Sequence, residues 1–237
     1  MIIYHTPSSV VAFTTGRDEK PTNEAENTAL IPQPGAGMAA KPCPLALPRQ
    51  THTAHVEYAH APERHPDTDA VWTDRKGLAL AVKTADCIPV LLYDAEAGLI
   101  AAIHAGWKGT VQYIVRNTIA AMYRTPSPVR RPQLHAIIGP GISLTSFEVG
   151  DEVYEKFAQA GFPMQRIARQ YPHASDTKTL KWHIDLYEAN RWVLEECGVM
   201  REHIHIDGTD TLSTETLYSA RRESINTGRN YNLVMMV

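Results

Sequence analysis

The chain predicts an α/β protein, a mixed sheet flanked by helices, and three observations carry that expectation. Strand-like and helix-like segments are interleaved along the 237 residues. Three apolar runs follow one another at 78–84, 89–93 and 99–104, continuous enough for strands buried on both faces. Only Asp94, Ala95, Glu96, Ala97 and Gly98 separate the last two, so they read as a hairpin, which a strict βαβ repeat would not contain.

In chain order, residues 9–14 read as the first strand. Residues 16–44, GRDEKPTNEAENTALIPQPGAGMAAKPCP, hold no sustained period and many polar residues, prolines and glycines, so an irregular, mobile stretch is expected. TAHVEY at 53–58 alternates weakly, as a short strand does. After the three apolar runs, Val111, Ile114, Val115, Ile119 and Met122 fall on one helix face, giving a helix that starts near Thr110 and is stopped by Pro126 and Pro128. A strand follows at 134–138 and a turn at Gly139-Pro140-Gly141. A helix at 149–160 should end at Gly161, where a left-handed cap favours glycine. Asp185 can cap another, with Leu186, Ala189, Trp192, Val193 and Cys197 facing inward and Gly198 past its end. Strands at 203–206 and 233–237 complete the pattern. One domain over residues 1–237 is the expected organisation, and no internal repeat stands out.

Bulk properties narrow the chemistry. A net charge of -3, with no block of like charges, removes the electrostatic footprint of a nucleic-acid binder and favours small-molecule substrates. The first residues lack a basic segment followed by a continuous apolar run, and no stretch reaches the ~18 apolar residues of a membrane span, so a cytoplasmic location is expected. Cys43, Cys87 and Cys197 are an odd, sparse set and read as reduced thiols: Cys43 in a proline-rich loop, Cys197 on an apolar helix face.

Catalytic zinc takes three protein ligands and keeps one position open, and Cys87, His104 and His52 have the right chemistry for it. The hairpin can bring Cys87 and His104 together, whereas His52 comes from elsewhere. Their spacing is not a compact ligand motif, so two alternatives stand beside zinc at this point: a Cys87 thiolate activated by His104, and a Cys87 that is simply buried. In HAGWKGT (104–110), two glycines flank Trp107 and Lys108 at a strand-to-helix junction. Free amides there, with Lys108, suit phosphate; the glycines equally suit a purely conformational role. His203 and His205 share one face of an alternating strand and can simply meet solvent.

Several segments carry a resemblance. TADCIPVLLYD (84–94), IAAIHAGWKGT (100–110) and IGPGISLTSFEVGDEV (138–153) are similar to the central motifs of the YfiH, or laccase-domain, family of purine nucleoside phosphorylases. Gln50-Thr51-His52, DAVWT (69–73), HIDLYEANRWVLEECGV (183–199), TDTL (209–212) and LYSARRESINTGRNYNLVMM (217–236) resemble further elements of it. The resemblance implies an α/β sandwich with a zinc site at His52, Cys87 and His104. It also implies phosphorolysis of adenosine, inosine, guanosine or 5'-methylthioadenosine, with deamination of adenosine; a polyphenol oxidase label and a peptidoglycan-editing role also attach to the family. Thr53 stands where the family usually has glycine, and TTGRDEKPTNEAEN replaces its N-terminal glycine-rich loop.

Phosphorolysis needs an anion site and a proton for the departing purine. Lys108, Arg222 and Arg17 are the candidate phosphate ligands; Asp86, beside Cys87, is the candidate acid, with a positioning role as its alternative. The rivals are a Cys87 hydrolase acting on a cell-wall precursor and a non-enzymatic module whose zinc is closed by a fourth ligand, His55 or His60. Copper oxidation is disfavoured, because no clustered histidine motif or axial methionine accompanies the triad.

Overall fold

The computed structural model describes residues 1–32, 40–124, 133–173 and 176–237; Pro126 and Pro128, expected to stop a helix, lie outside them. Its centre is a six-stranded sheet in the order Ile204–Ile206, His135–Ile138, Ile88–Asp94, Leu99–Ala105, Ala70–Thr73, Val56–Tyr58. The expected hairpin lies in the middle, with Pro89 opposite His104 and Asp94 opposite Leu99. Three antiparallel pairs at the centre are flanked by a parallel pair at each edge, with no βαβ repeat, so the sheet is mixed.

Both faces of this sheet are buried, which is why its strands are continuous apolar runs. Leu91, Tyr93, Ile100, Ala102 and Ile137 face Leu80, Val82, Val234 and Met236 of an eight-stranded sheet. Val90, Leu92 and Ile103, one residue out of phase, face Ile114, Ile119, Leu186 and Val193 of the helices. The architecture is thus α/β, a mixed-sheet sandwich, but with helices on one side only. On the outer face of the eight-stranded sheet, Phe13, Leu45 and Leu233 pack with Ala29 and Ile31 of its own Thr28–Pro32 strand.

Two expectations need correction. The stretch at 16–44 contains strands at Thr22–Asn23 and Thr28–Pro32 and the start of Ala40–Pro48, so Cys43 sits in a ladder opposite Ala29 rather than in a loop. The helix expected from Thr110 begins earlier, at Trp107, and is two helices. Trp107–Val111 and Ile114–Tyr123 are separated by Gln112 and by Tyr113, whose φ of 61° interrupts the ladder. Apolar periodicity runs through this break because Val111 and Ile114 still reach the same core.

The helix at Leu186–Glu196 follows its signals: the Asp185 side chain accepts from Glu188 N, and Gly198 has φ 83°. Asp151–Gln159 likewise stops before Gly161, at φ 84°. A three-stranded sheet of Glu148–Val149, Asp176–Ile184 and Ala168–His173 has no counterpart in the sequence reading. No helix among the described residues is long and apolar enough to cross a membrane.

Candidate metal centre

The chain crosses twice, side by side, from the eight-stranded sheet to the six-stranded one. The first crossing joins Ala40–Pro48 to Val56–Tyr58 and carries His52; the second joins Ala79–Thr84 to Ile88–Asp94 and carries Cys87. The departing strands are paired parallel, so both crossings leave from one end of the sandwich. His104, near the end of Leu99–Ala105, points into the same place. The ligand atoms of His52, Cys87 and His104 all lie within 4.8 Å of one another, and Cys87 Sγ is 3.9 Å from His52 Nε2.

One buried carboxylate sets this geometry. Asp69 is fully buried and accepts from Thr51 N (3.1 Å), His52 N (3.1 Å), Thr53 N (2.8 Å) and Thr53 Oγ1 (2.9 Å). It also accepts from His104 Nδ1 at 2.7 Å. An ionised carboxylate only accepts, so His104 carries its proton on Nδ1 and turns Nε2 toward Cys87 and His52. Burial alone would raise the Asp69 pKa; the donors from His104, Thr53 and Thr51 outweigh it and hold the carboxyl well below the usual range. Burial similarly opposes ionisation of Cys87, but the charge and hydrogen bonding of His104, with those of His52, bring its thiol down.

The crossings are also tied to each other. Gln50 Nε2 donates to Lys83 O (2.7 Å) and Lys83 N donates to Gln50 Oε1 (2.8 Å), so a side chain replaces one rung of a ladder between them. His52 adopts φ 63° and Asp86 φ 86°, left-handed turns that let each crossing present its ligand. Asp86 uses both carboxylate oxygens, accepting from Thr211 Oγ1 (2.7 Å) and Arg221 N (2.6 Å), while its carbonyl accepts from Ile142 N (2.8 Å). Gly106 provides clearance: a Cβ there would lie 3.0 Å from Cys87 Sγ and 3.3 Å from His52 Cδ2.

A cleft of about 220 Å³ opens over the three ligands. Its lining includes Arg49, Arg64, Lys83 and Arg229, with no carboxylate among the described lining residues, and apolar surface from Ala85, Ala220 and Ile225. Lys108, Arg17 and Arg222 do not line it. Lys108 is exposed near the Trp107 ring. Arg222 donates to the carbonyls of Thr211, Leu212, Thr214 and Leu217, and Arg17 to those of Glu215 and Leu217, and both pair with Glu223. His55 and His60 stand apart from the triad, His55 bonded to Asp67 O and His60 against Tyr58. Sequence reading passed over Asp69 as an individual residue, although it lies within the quoted DAVWT segment; Arg49 lies next to the quoted Gln50-Thr51-His52.

Three candidate ligands, a buried carboxylate behind one of them and a cationic cleft in front make up a candidate metal site in an α/β fold. Residues 7–237 match the multi-copper polyphenol oxidoreductase laccase family, and the chain belongs to it. It is 40% identical over 211 residues to a purine nucleoside phosphorylase of Bacteroides thetaiotaomicron, covering 84% of this chain and 76% of that one. It is 39% identical over 199 residues to adenosine deaminase RL5 of an unknown prokaryotic organism, covering 79% and 73%. Among solved structures, it is similar to the Neisseria meningitidis protein NMB0706, with a TM-score of 0.75, 28% identity and coverage of 99% and 98%.

Proposed function

We propose that the chain is a zinc-dependent purine nucleoside phosphorylase, releasing base and ribose 1-phosphate from adenosine, inosine, guanosine or 5'-methylthioadenosine, with deamination of adenosine as a side reaction. The observation that carries this reading is the His52–Cys87–His104 group, oriented by Asp69 at the floor of a cleft lined by four cations. One thiolate and two imidazoles form the donor set of a catalytic zinc, with a fourth position left to substrate. Bound there, zinc supplies a Lewis acid.

The remaining work falls to the chain itself. Ala85, Ala220 and Ile225 offer the purine an apolar wall, while the cations hold the attacking phosphate near the ribose. A phosphate oxygen forms a bond to the anomeric carbon as the glycosidic bond breaks, and its electron pair leaves with the purine, which takes up a proton. Asp86, with both oxygens accepting, positions the Cys87 turn in this reading. The decisive measurement is product analysis with adenosine, with and without phosphate: adenine should appear with ribose 1-phosphate and only when phosphate is present. Equal base release in its absence sinks the proposal.

One observation favours a second reading. Cys87, His104 and Asp69 also stand in the order nucleophile, base and orienting acid of a thiol hydrolase. That enzyme would cleave an amide of a cell-wall precursor without phosphate and work after zinc is stripped. His52 favours the metal, because a hydrolase has no use for a third ligand atom at that distance from the sulfur.

A further inference from the structure

We propose that Arg49 is the phosphate-binding residue of the metal cleft, and that Glu24 tunes the anion site by pairing with the two cations beside it. The cleft's four cations are not equivalent. Lys83 Nζ lies 3.0 Å from Glu24 Oε1, Arg64 pairs with Glu24 Oε2, and Tyr231 donates to the same carboxylate. Arg229 turns its guanidinium onto the carbonyls of Ile225, Thr227 and Gly228. Arg49 alone of the four has a guanidinium with no hydrogen-bond or ion-pair partner among the described residues.

Its backbone is nevertheless fixed. Arg49 N donates to His65 O at 2.7 Å, and the next residue, Gln50, is clamped in both directions to Lys83. A planar five-donor fork on an anchored backbone, with its donors unspent, suits two oxygens of one phosphate. Arg49 precedes His52 by three residues, so an anion held there lies beside the ligand group rather than across the molecule. Glu24 is the counterweight: it engages the donors of Lys83 and Arg64 and offsets one of their two charges, while Arg229 spends its donors on carbonyls, so the unspent donors belong to Arg49.

This deepens the phosphorylase reading and rests on it for the choice of inorganic phosphate. The test is calorimetric titration of inorganic phosphate, and separately of adenosine 5'-monophosphate, into zinc-loaded wild type, Arg49→Met, Arg49→Lys and Glu24→Gln, with zinc content and melting temperature measured on each. Arg49→Met should weaken phosphate binding about 10- to 100-fold, the loss of charged hydrogen bonds. Arg49→Lys should recover part of it, and Glu24→Gln should bind more tightly than wild type. Zinc content should not change. Wild-type phosphate affinity in Arg49→Met overturns the proposal, as does Arg49-dependent binding of the nucleotide alone. Phosphate binding that depends on Arg49 without any phosphorolysis keeps the subsite and sinks the phosphorylase reading. Phosphate-dependent turnover that Arg49→Met leaves unchanged does the reverse.

Discussion

The two walls of the cleft are each organised by a carboxylate, and they differ in how deeply it is buried. Asp69 is sealed from solvent and gathers the His104 ring and the amides of the His52 turn on one side. Glu24, with a quarter of its side chain exposed, gathers Lys83, Arg64 and Tyr231 on the other. Burial removes the alternative of bonding to water, so every Asp69 partner is held in one place. A partly exposed carboxylate exchanges partners with solvent and ions, and its bank of cations can be adjusted. Rigid ligands and an adjustable anion wall suit a centre that keeps its metal while substrate comes and goes.

The comparison breaks most sharply at the ligands. Cys87→Ala and His104→Ala should each lose nearly all bound zinc, measured as metal per chain after dialysis, while circular dichroism keeps the folded spectrum; full retention in both removes the site. Asp69→Asn should follow, weakening metal affinity about 10- to 100-fold, as expected for a partner behind a ligand. The acid dependence of Asp69 has a definite sign. Its folded pKa lies below its unfolded one, so its contribution to stability is present above the ordinary carboxylate range and is lost only as pH falls through the lower, folded value. Melting curves of wild type and Asp69→Asn should therefore stay apart from pH 7 down to the ordinary carboxylate range and converge below it.

The hairpin bearing His104 was legible because strands covered on both faces are apolar nearly throughout: 88–94 and 99–105 carry only Asp94 and His104, near their ends, as carboxylate or imidazole side chains and have no competing period. The Leu186–Glu196 helix was legible from local chemistry at its two ends. Ala40–Pro48 was not, because its prolines argue against a strand. Pro42 and Pro44 sit at alternate positions opposite Leu30 and Thr28, so their missing N–H groups fall on one side of a stretch paired only to Thr28–Pro32. The ligand triad was legible only through motif resemblance, and the cation wall not at all. Glu24 and Lys83 are 59 residues apart and meet through the curl of the sheet, which no local pattern records.

Smaller effects sharpen the comparison. Gln50→Ala removes the clamp between crossings and should cost about 1–3 kcal/mol in chemical denaturation, with a weaker effect on zinc than Asp69→Asn. Cys43→Ser should leave zinc content and turnover almost unchanged. Burial pushes the Cys43 thiol up to about 11, so in metal-stripped protein iodoacetamide should modify Cys87 long before Cys43. Equal labelling of the two would remove the electrostatic contrast between them.

The Asn230–Met236 strand lies between Val10–Thr14 and Ala79–Thr84, inside the eight-stranded sheet. During synthesis, the sheet therefore waits with a gap at its centre until some 150 further residues have left the ribosome, and both flanking strands expose unpaired edges meanwhile. Arg229 and Tyr231, which bear on the cleft, arrive with that strand. The nascent chain thus completes its anion wall in the same step that closes the gap in the sheet, and this interval is where a chaperone would have most to protect.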